Sequence, residues 1–489
     1  MRSTLFAALT PLYALSCLPS AAPPDPIDEG SDDVADPIGE LALGACDFAA
    51  WPSAMPNPPS DLECGTLEVQ RVLGDPDAGT TTIFVARQRS RAFPTGRAVF
   101  QLAGGPGGSA VTQSGLVPQL LGGLRDDLDL VYVDQRGTGF SGYLDCPDGD
   151  FPQDRAGNEA CLRALGDVRG LGSVEAAHDV DRVRRALGYP TIALRGGSYG
   201  TRVGLEVLRQ HGAVVEAAVL DGVDPPDADF FGWTLGKADV GIELLIDDCA
   251  ADPACVAVSP DLRADLEARR AALAEEPRRI TAGGAPDVED DALFVLALSY
   301  LVEDSYWRSD VPRAVHAAVS GDNDGWNALL GDLFGVTISD RADLNASYVA
   351  PGLYLYVTCT ESLPNAGGLD ALRDLADGLS WGDGHLLEIA EACAALDAPP
   401  LDAALRAPVV SDVPTLLLSG AADIQTPPEM AEHALETLAN ARHVVLPHAT
   451  HSVMITPCGA ELIEQFLLGD HDPAVLELGC VDEVPTPQW

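Results

Sequence analysis

Lysine is almost absent. The 489 residues contain one, Lys237, against 75 acidic residues, and the formal net charge is −46. A chain this acidic has no basic face with which to neutralise phosphates. That argues against nucleic acid and against anionic membrane surfaces as partners. No Cys-x-x-Cys pair occurs, so no structural zinc site is expected. The glycine-rich stretch Ala103-Gly104-Gly105-Pro106-Gly107-Gly108-Ser109 is not followed by Gly-Lys-Ser/Thr, which removes the phosphate-cradling reading. There is no internal repeat, and the apolar run Leu5 to Leu15 is too short to span a bilayer. No metal or cofactor is expected.

What is present is a globular composition, 46% apolar, on a chain too long for one minimal core. The acid excess solvates the surface and suits a protein working outside the cell. Arg2 and the Leu5 to Leu15 run read as a signal peptide. They end in Ala14-Leu15-Ser16-Cys17, which resembles a bacterial lipobox, with Ala14 where leucine is usual. Cys17 is then either lipidated after cleavage or lost with the leader. Without it ten cysteines remain: Cys46, Cys64, Cys146, Cys161, Cys249, Cys255, Cys359, Cys393, Cys458 and Cys480. An even set in an exported chain reads as disulfides, and pairing in order is the working expectation among many connectivities. Residues 18–44 are rich in Pro, Asp and Ala, without apolar period, and read as a disordered acidic tether.

The chain is organised around Gly196-Gly197-Ser198-Tyr199-Gly200. A strand-like run, Thr191 to Leu194, leads in, and a helical pattern, Arg202 to Leu208, leads out. Gly-x-Ser-x-Gly between strand and helix is the nucleophile elbow. Its turn is so tight that side chains at 196 and 200 would collide, and Ser198 must take a strained backbone conformation. Elsewhere, alternation predicts two antiparallel opening strands at Gly65–Leu73 and Thr81–Arg87. Further strands are expected at Arg97–Leu102, Leu128–Val133, Val214–Leu220, Val413–Gly420 and Arg442–Leu446. Helices are expected at Thr112–Leu124, Ser173–Leu187 (with Ser173 as N-cap and Gly188 as stop), Pro428–Leu438 and Ala460–Leu468. Between Pro225 and Ala407 the strand–helix rhythm stops and the pattern is mostly helical. With the elbow, this predicts an α/β-hydrolase fold, a mostly parallel sheet with helices on both faces, interrupted by one long helical insertion. The segments are a signal peptide and lipobox at 1–17, the tether at 18–44, core at 45–224, cap at 225–407, and core with a C-terminal extension at 408–489.

A serine hydroxyl needs a base, and the base an orienting acid, in the chain order Ser, Asp, His. Asp423 follows a late strand, and its rival Asp221 follows one before the insertion. His451 and His448 both follow the last strand; His451 is expected to be the base and His448 a loop residue. The other seven histidines, at 178, 211, 316, 385, 433, 443 and 471, read as structural. Tyr199 and Gly105 are expected to supply the two oxyanion N–H groups.

Together Gly104-Gly105-Pro106-Gly107, Asp134-Gln135-Arg136-Gly137, Gly197-Ser198-Tyr199-Gly200-Thr201 and Asp423-x-x-Thr426-Pro427 resemble the proline iminopeptidase/tripeptidyl aminopeptidase group of α/β-hydrolases. The Cys458–Cys480 tail and Tyr356-Val357-Thr358-Cys359-Thr360-Glu361 resemble its secreted tripeptidyl-aminopeptidase branch. The resemblance covers most of Cys46 to Cys480 and is weakest in the insertion. Ala103 and Thr450 depart from it, standing where histidine and glycine are usual, and leave the substrate open. It implies an exported serine aminopeptidase, in the cell envelope or secreted, that releases residues or short peptides from peptide N-termini. The alternatives are an esterase or amide hydrolase with the same triad, or a non-catalytic surface binding lipoprotein. A cationic substrate amine requires a carboxylate near the serine, and Glu361 is the candidate. Activity is expected to peak near neutrality, where a histidine of ordinary pKa is neutral and an α-amine still charged.

Overall fold

The computed structural model describes residues 39–48, 57–92, 95–146, 155–282, 285–303, 305–338, 349–382, 385–396, 398–486 and 489. The leader, Cys17 and most of the tether lie outside the described residues. In chain order the strands are β1 (Gly44–Ala45), β2 (Leu62–Val72), β3 (Asp75–Gln88), β4 (Ala98–Leu102), β5 (Asp129–Val133), β6 (Ile192–Gly197), β7 (Val215–Asp221), β8 (Arg278–Ala282), β9 (Ala285–Glu289), β10 (Thr415–Gly420) and β11 (Ala441–Leu446). Nine of them form one sheet in the order β1-β2-β3-β5-β4-β6-β7-β10-β11. β2 and β3 make the expected antiparallel hairpin, and from β5 through β4 to β11 every pairing is parallel. The parallel strands therefore end on one rim, where open α/β sheets place their ligands.

Residues 39–44, expected at the end of the tether, are partly in the fold. Gly44 and Ala45 pair with Cys64 and Glu63, and Leu41 packs on the core. One sheet face packs on the helices Ser173–Leu187, Tyr199–His211 and Pro428–Leu435, the other on Pro457–Leu468 and the short turns between Thr112 and Asp126. That last segment was expected as one helix. Gly115, Gly122 and Gly123 break it into single turns, since glycine favours neither helix propagation nor fixed backbone.

Two further apolar clusters lie mostly in the insertion, one joined by Ile424 and the other by Cys146, Cys161 and Leu162 of the core segments. The insertion is helical as expected, apart from the β8–β9 hairpin. The five disulfides join neighbours in order: Cys46–Cys64, Cys146–Cys161, Cys249–Cys255, Cys359–Cys393 and Cys458–Cys480. Cys359–Cys393 ties two cap segments together, while Cys458–Cys480 ties the C-terminal extension to the Pro457–Leu468 helix.

Candidate active site

Ser198 stands between β6 and the Tyr199–His211 helix with φ 54° and ψ −130°, one of few non-glycine residues at positive φ. The turn leaves no room beside it. A Cβ at Gly196 would lie 2.5 Å from Gly200 O, and one at Gly200 would lie 2.3 Å from Leu102 O. The strained serine is locked by its neighbours: its N–H donates to Asp221 O (2.8 Å), and its carbonyl accepts from Thr201 N (2.8 Å) and Thr201 Oγ1 (2.6 Å). The loop after β4 closes on it. A Cβ at Gly104 would lie 2.8 Å from Ser198 Cβ. Gly105 has φ +119°, open only to glycine. Gly105, Ser198 and Tyr199 line one cavity, and Tyr199 opens a helix whose first N–H groups have no partner in the helix.

Asp423 follows β10 and His451 follows β11. Asp423 Oδ2 lies 2.9 Å from His451 Nδ1. The carboxylate is buried and fully engaged. Oδ1 accepts from the N–H groups of Gln425 and Thr426 (3.0 Å each), and Oδ2 also accepts from Thr426 Oγ1 (2.9 Å). Thr426 Oγ1 lies 3.2 Å from His451 Nδ1, so this threonine fixes both partners. Among the described residues no hydrogen bond joins the His451 imidazole to Ser198 Oγ; the ring is held through Nδ1 by Asp423 and Thr426. Free enzymes commonly hold that contact long until substrate arrives. Burial pulls the His451 pKa down, but Asp423 above all, then Asp221 and Glu303, outweigh it and raise it to about 8.

His448 is exposed, on a turn. Six of the seven histidines read as structural sit in packing contacts: His178 against His211, His316 on Asp265, His433 on Asp227, His443 on Ser419 and His471 on the Phe466 carbonyl; the side chain of His385 lies outside the described residues. Among the described residues Asp221, the rival acid, hydrogen-bonds no imidazole; its carboxylate accepts from Val453 N (3.0 Å) and Met454 N (3.1 Å).

Glu361 does not line the cavity with Ser198. It is buried, and both its oxygens are taken by Ser173: Oε1 by the N–H (2.8 Å) and Oε2 by the hydroxyl (2.7 Å). Ser173 is the first helical residue and Gly172 the N-cap, without a capping side chain. Glu361 supplies the missing cap from across the fold, where a carboxylate also suits the helix dipole. The carboxylate that does line the cavity is Asp224, three residues past the end of β7. Its Oδ1 accepts from Arg202 (2.8 Å), and its N–H donates to Thr201 Oγ1 (2.8 Å). No sequence motif marks Asp224, since its distance from Ser198 is set by the sheet.

The cavity has a volume of about 80 Å³. Core residues Ser198, Asp224, Gln425 and Thr426 form its floor, and Phe230, Lys237, Tyr354 and Leu386 of the insertion its roof. Lys237, the lone lysine, ion-pairs with buried Glu303, whose Oε2 accepts from Gln425 Nε2 (2.7 Å). Among the described residues no group of three or more His, Cys, Asp or Glu side chains is arranged to hold a metal ion.

Comparison with known proteins agrees with this architecture. Residues 98–237 match the family described as alpha/beta hydrolase fold, and residues 380–477 match TAP-like protein. The serine protease Hip1 of Mycobacterium tuberculosis H37Rv is 28% identical over 219 residues, 40% of this chain and 42% of that protein. YuaR of Escherichia coli K12 is 26% identical over 302 residues, 55% of this chain and 59% of that protein. The chain thus spans well under two thirds of either relative. A solved proline iminopeptidase from Mycobacterium smegmatis is 16% identical with a TM-score of 0.39, covering 83% of this chain and 99% of that one. A thermophilic esterase from Thermogutta terrifontis is 16% identical with a TM-score of 0.35, at the same coverage. The strand order and the matched core segment make this an α/β-hydrolase fold, and a TAP-like domain is present at residues 380–477.

Proposed function

We propose that this chain, an α/β-hydrolase-fold serine hydrolase carrying a TAP-like domain, cleaves ester or amide bonds through an acyl-enzyme. The observation that carries the reading is the 2.9 Å contact of His451 Nδ1 with Asp423 Oδ2, together with a serine held on a strained elbow of the same sheet. Asp423 holds the imidazole so that Nε2 faces the serine. Ser198 Oγ attacks the carbonyl carbon while His451 takes its proton. The N–H groups of Gly105 and Tyr199 stabilise the oxyanion, a contribution of about 10²–10³ in turnover per donor. The tetrahedral intermediate expels the leaving group, which takes the proton back from His451. Water, activated by the same imidazole, then frees the acid and Ser198.

Peptides are a narrower substrate reading, and release from a free N-terminus a narrower one still. The likeness to Hip1, a serine protease, supports the first. Asp224 supports the second, as a cavity carboxylate available to a substrate ammonium in place of Glu361. A cavity of about 80 Å³ is smaller than a peptide segment. Export is part of the proposal and is supported by the five disulfides.

The test is a substrate panel: p-nitrophenyl esters, aminoacyl and tripeptidyl amides, and the same amides N-blocked, with Ser198→Ala as control. Turnover of any of them that is lost in the control supports the hydrolase. Equal turnover of free and blocked amides would remove the aminopeptidase reading and leave the esterase or amidase.

A further inference from the structure

Asp221 connects to both halves of the site. It is the last residue of β7, paired in register with Gly197 on one side and Leu418 on the other. It therefore lies between the strand that delivers Ser198 and the strand that delivers Asp423. Its carbonyl accepts the N–H of Ser198 at 2.8 Å. Its carboxylate accepts the N–H groups of Val453 and Met454, two and three residues beyond His451. The next residue, Gly222, faces the imidazole with no room for a side chain, since a Cβ there would lie 3.0 Å from His451 Cε1.

We infer that Asp221 is a positioning residue: its carboxylate clamps the loop carrying His451 to the strand end that holds Ser198. The inference rests on the triad reading above. The loop needs a clamp, because His448 and Ser452 both adopt left-handed backbone without being glycine. Such a conformation persists only where its surroundings enforce it. The carboxylate is 1% exposed and both its oxygens are used, with Arg195 behind it at 3.5 Å. The charged groups facing His451 are Asp423 from the loop after β10, Asp221 from β7 with Arg195, and Glu303 from the cap with Lys237. Asp221 acts through geometry and through charge, since a carboxylate there favours the imidazolium that forms as Ser198 gives up its proton.

The experiment is the pH profile of kcat/KM for Asp221→Asn, with wild type and Ser198→Ala alongside. Asparagine keeps the shape, removes the charge and can accept with one oxygen only. The account expects kcat/KM to fall about ten- to a hundredfold, as for a small misplacement of a catalytic group. It also expects the acid-limb midpoint to move to lower pH, because a negative charge that favoured the imidazolium is gone. A midpoint equal to wild type overturns the inference, whatever the rate. Amide exchange in the wild-type protein is the companion measurement, and it holds even where the variant fails to fold. The Val453 and Met454 N–H groups are expected to be protected, and exchange at the rate of free peptide overturns the clamp. Turnover that persists in Ser198→Ala would instead defeat the triad, a result separable from either outcome at Asp221.

Discussion

Gly104 lies against Ser198 so tightly that a Cβ at 104 would come within 2.8 Å of the serine Cβ and 2.9 Å of Gly197 O. Neither neighbour can move freely, because Ser198 is bonded through its N–H and Gly197 belongs to β6. The smallest substitution, Gly104→Ala, therefore displaces the nucleophile or the oxyanion loop. A displacement approaching 1 Å is expected to lower kcat by about a hundredfold. Steady-state kinetics would check this, with circular dichroism confirming an intact fold. Near-wild-type kcat would mean that the loop yields without consequence.

The pH dependence follows from His451. The sequence leads one to expect activity near neutrality, from an ordinary histidine. The surrounding carboxylates instead raise its pKa to about 8. The base is then protonated at neutral pH, and kcat/KM for an ester should rise through about pH 8 to a plateau. A substrate that must keep its α-amine charged, with a reference pKa of about 7.7–8.0, should give a bell around the same pH. Asp423→Asn removes the largest favourable charge and should move the acid limb down while lowering the rate. An unchanged midpoint in that variant would contradict the assignment.

Glu361→Ala should act on stability and not on substrate choice. Its carboxylate caps the Ser173–Leu187 helix and lies 3.9 Å from the buried Arg202 guanidinium. Arg202 keeps Asp224 as its partner, so the loss is that of the cap, about 0.5–2 kcal/mol. Chemical denaturation should report a loss of that order, with the ratio of kcat/KM for free and blocked peptides unchanged. A change in that ratio at constant stability would return Glu361 to substrate binding.

The elbow, the strand ends and the order Ser198, Asp423, His451 were legible in the sequence because each is local: an apolar run, a turn, a helical pattern. The even cysteine set also gave the neighbouring pairs found here. What was not legible depends on contacts between distant segments. Glu361 was 188 residues from the helix end it caps, and Ser173 looked like a sufficient cap by itself. Asp221 could be read only as a competing acid, since its role appears when β7 lies between β6 and β10. The β8 and β9 segments, RRITA and APDVE, lack the apolar alternation that marks a half-buried strand.

Disulfide removal should scale with loop length. The Cys359–Cys393 bridge closes 34 residues and Cys249–Cys255 closes 6. Loop-closure entropy assigns them about 4 and about 2 kcal/mol respectively. Unfolding of the paired-serine variants should therefore show the larger loss for Cys359–Cys393. The reverse order would mean that packing around the shorter bridge outweighs chain entropy.

The most direct measurement is labelling with a fluorophosphonate followed by peptide mapping. The account predicts a single adduct on Ser198, formed faster as pH rises through about 8, and abolished in His451→Ala. A protein that takes up no label at pH 9, or one whose adduct maps to a different residue, would contradict it.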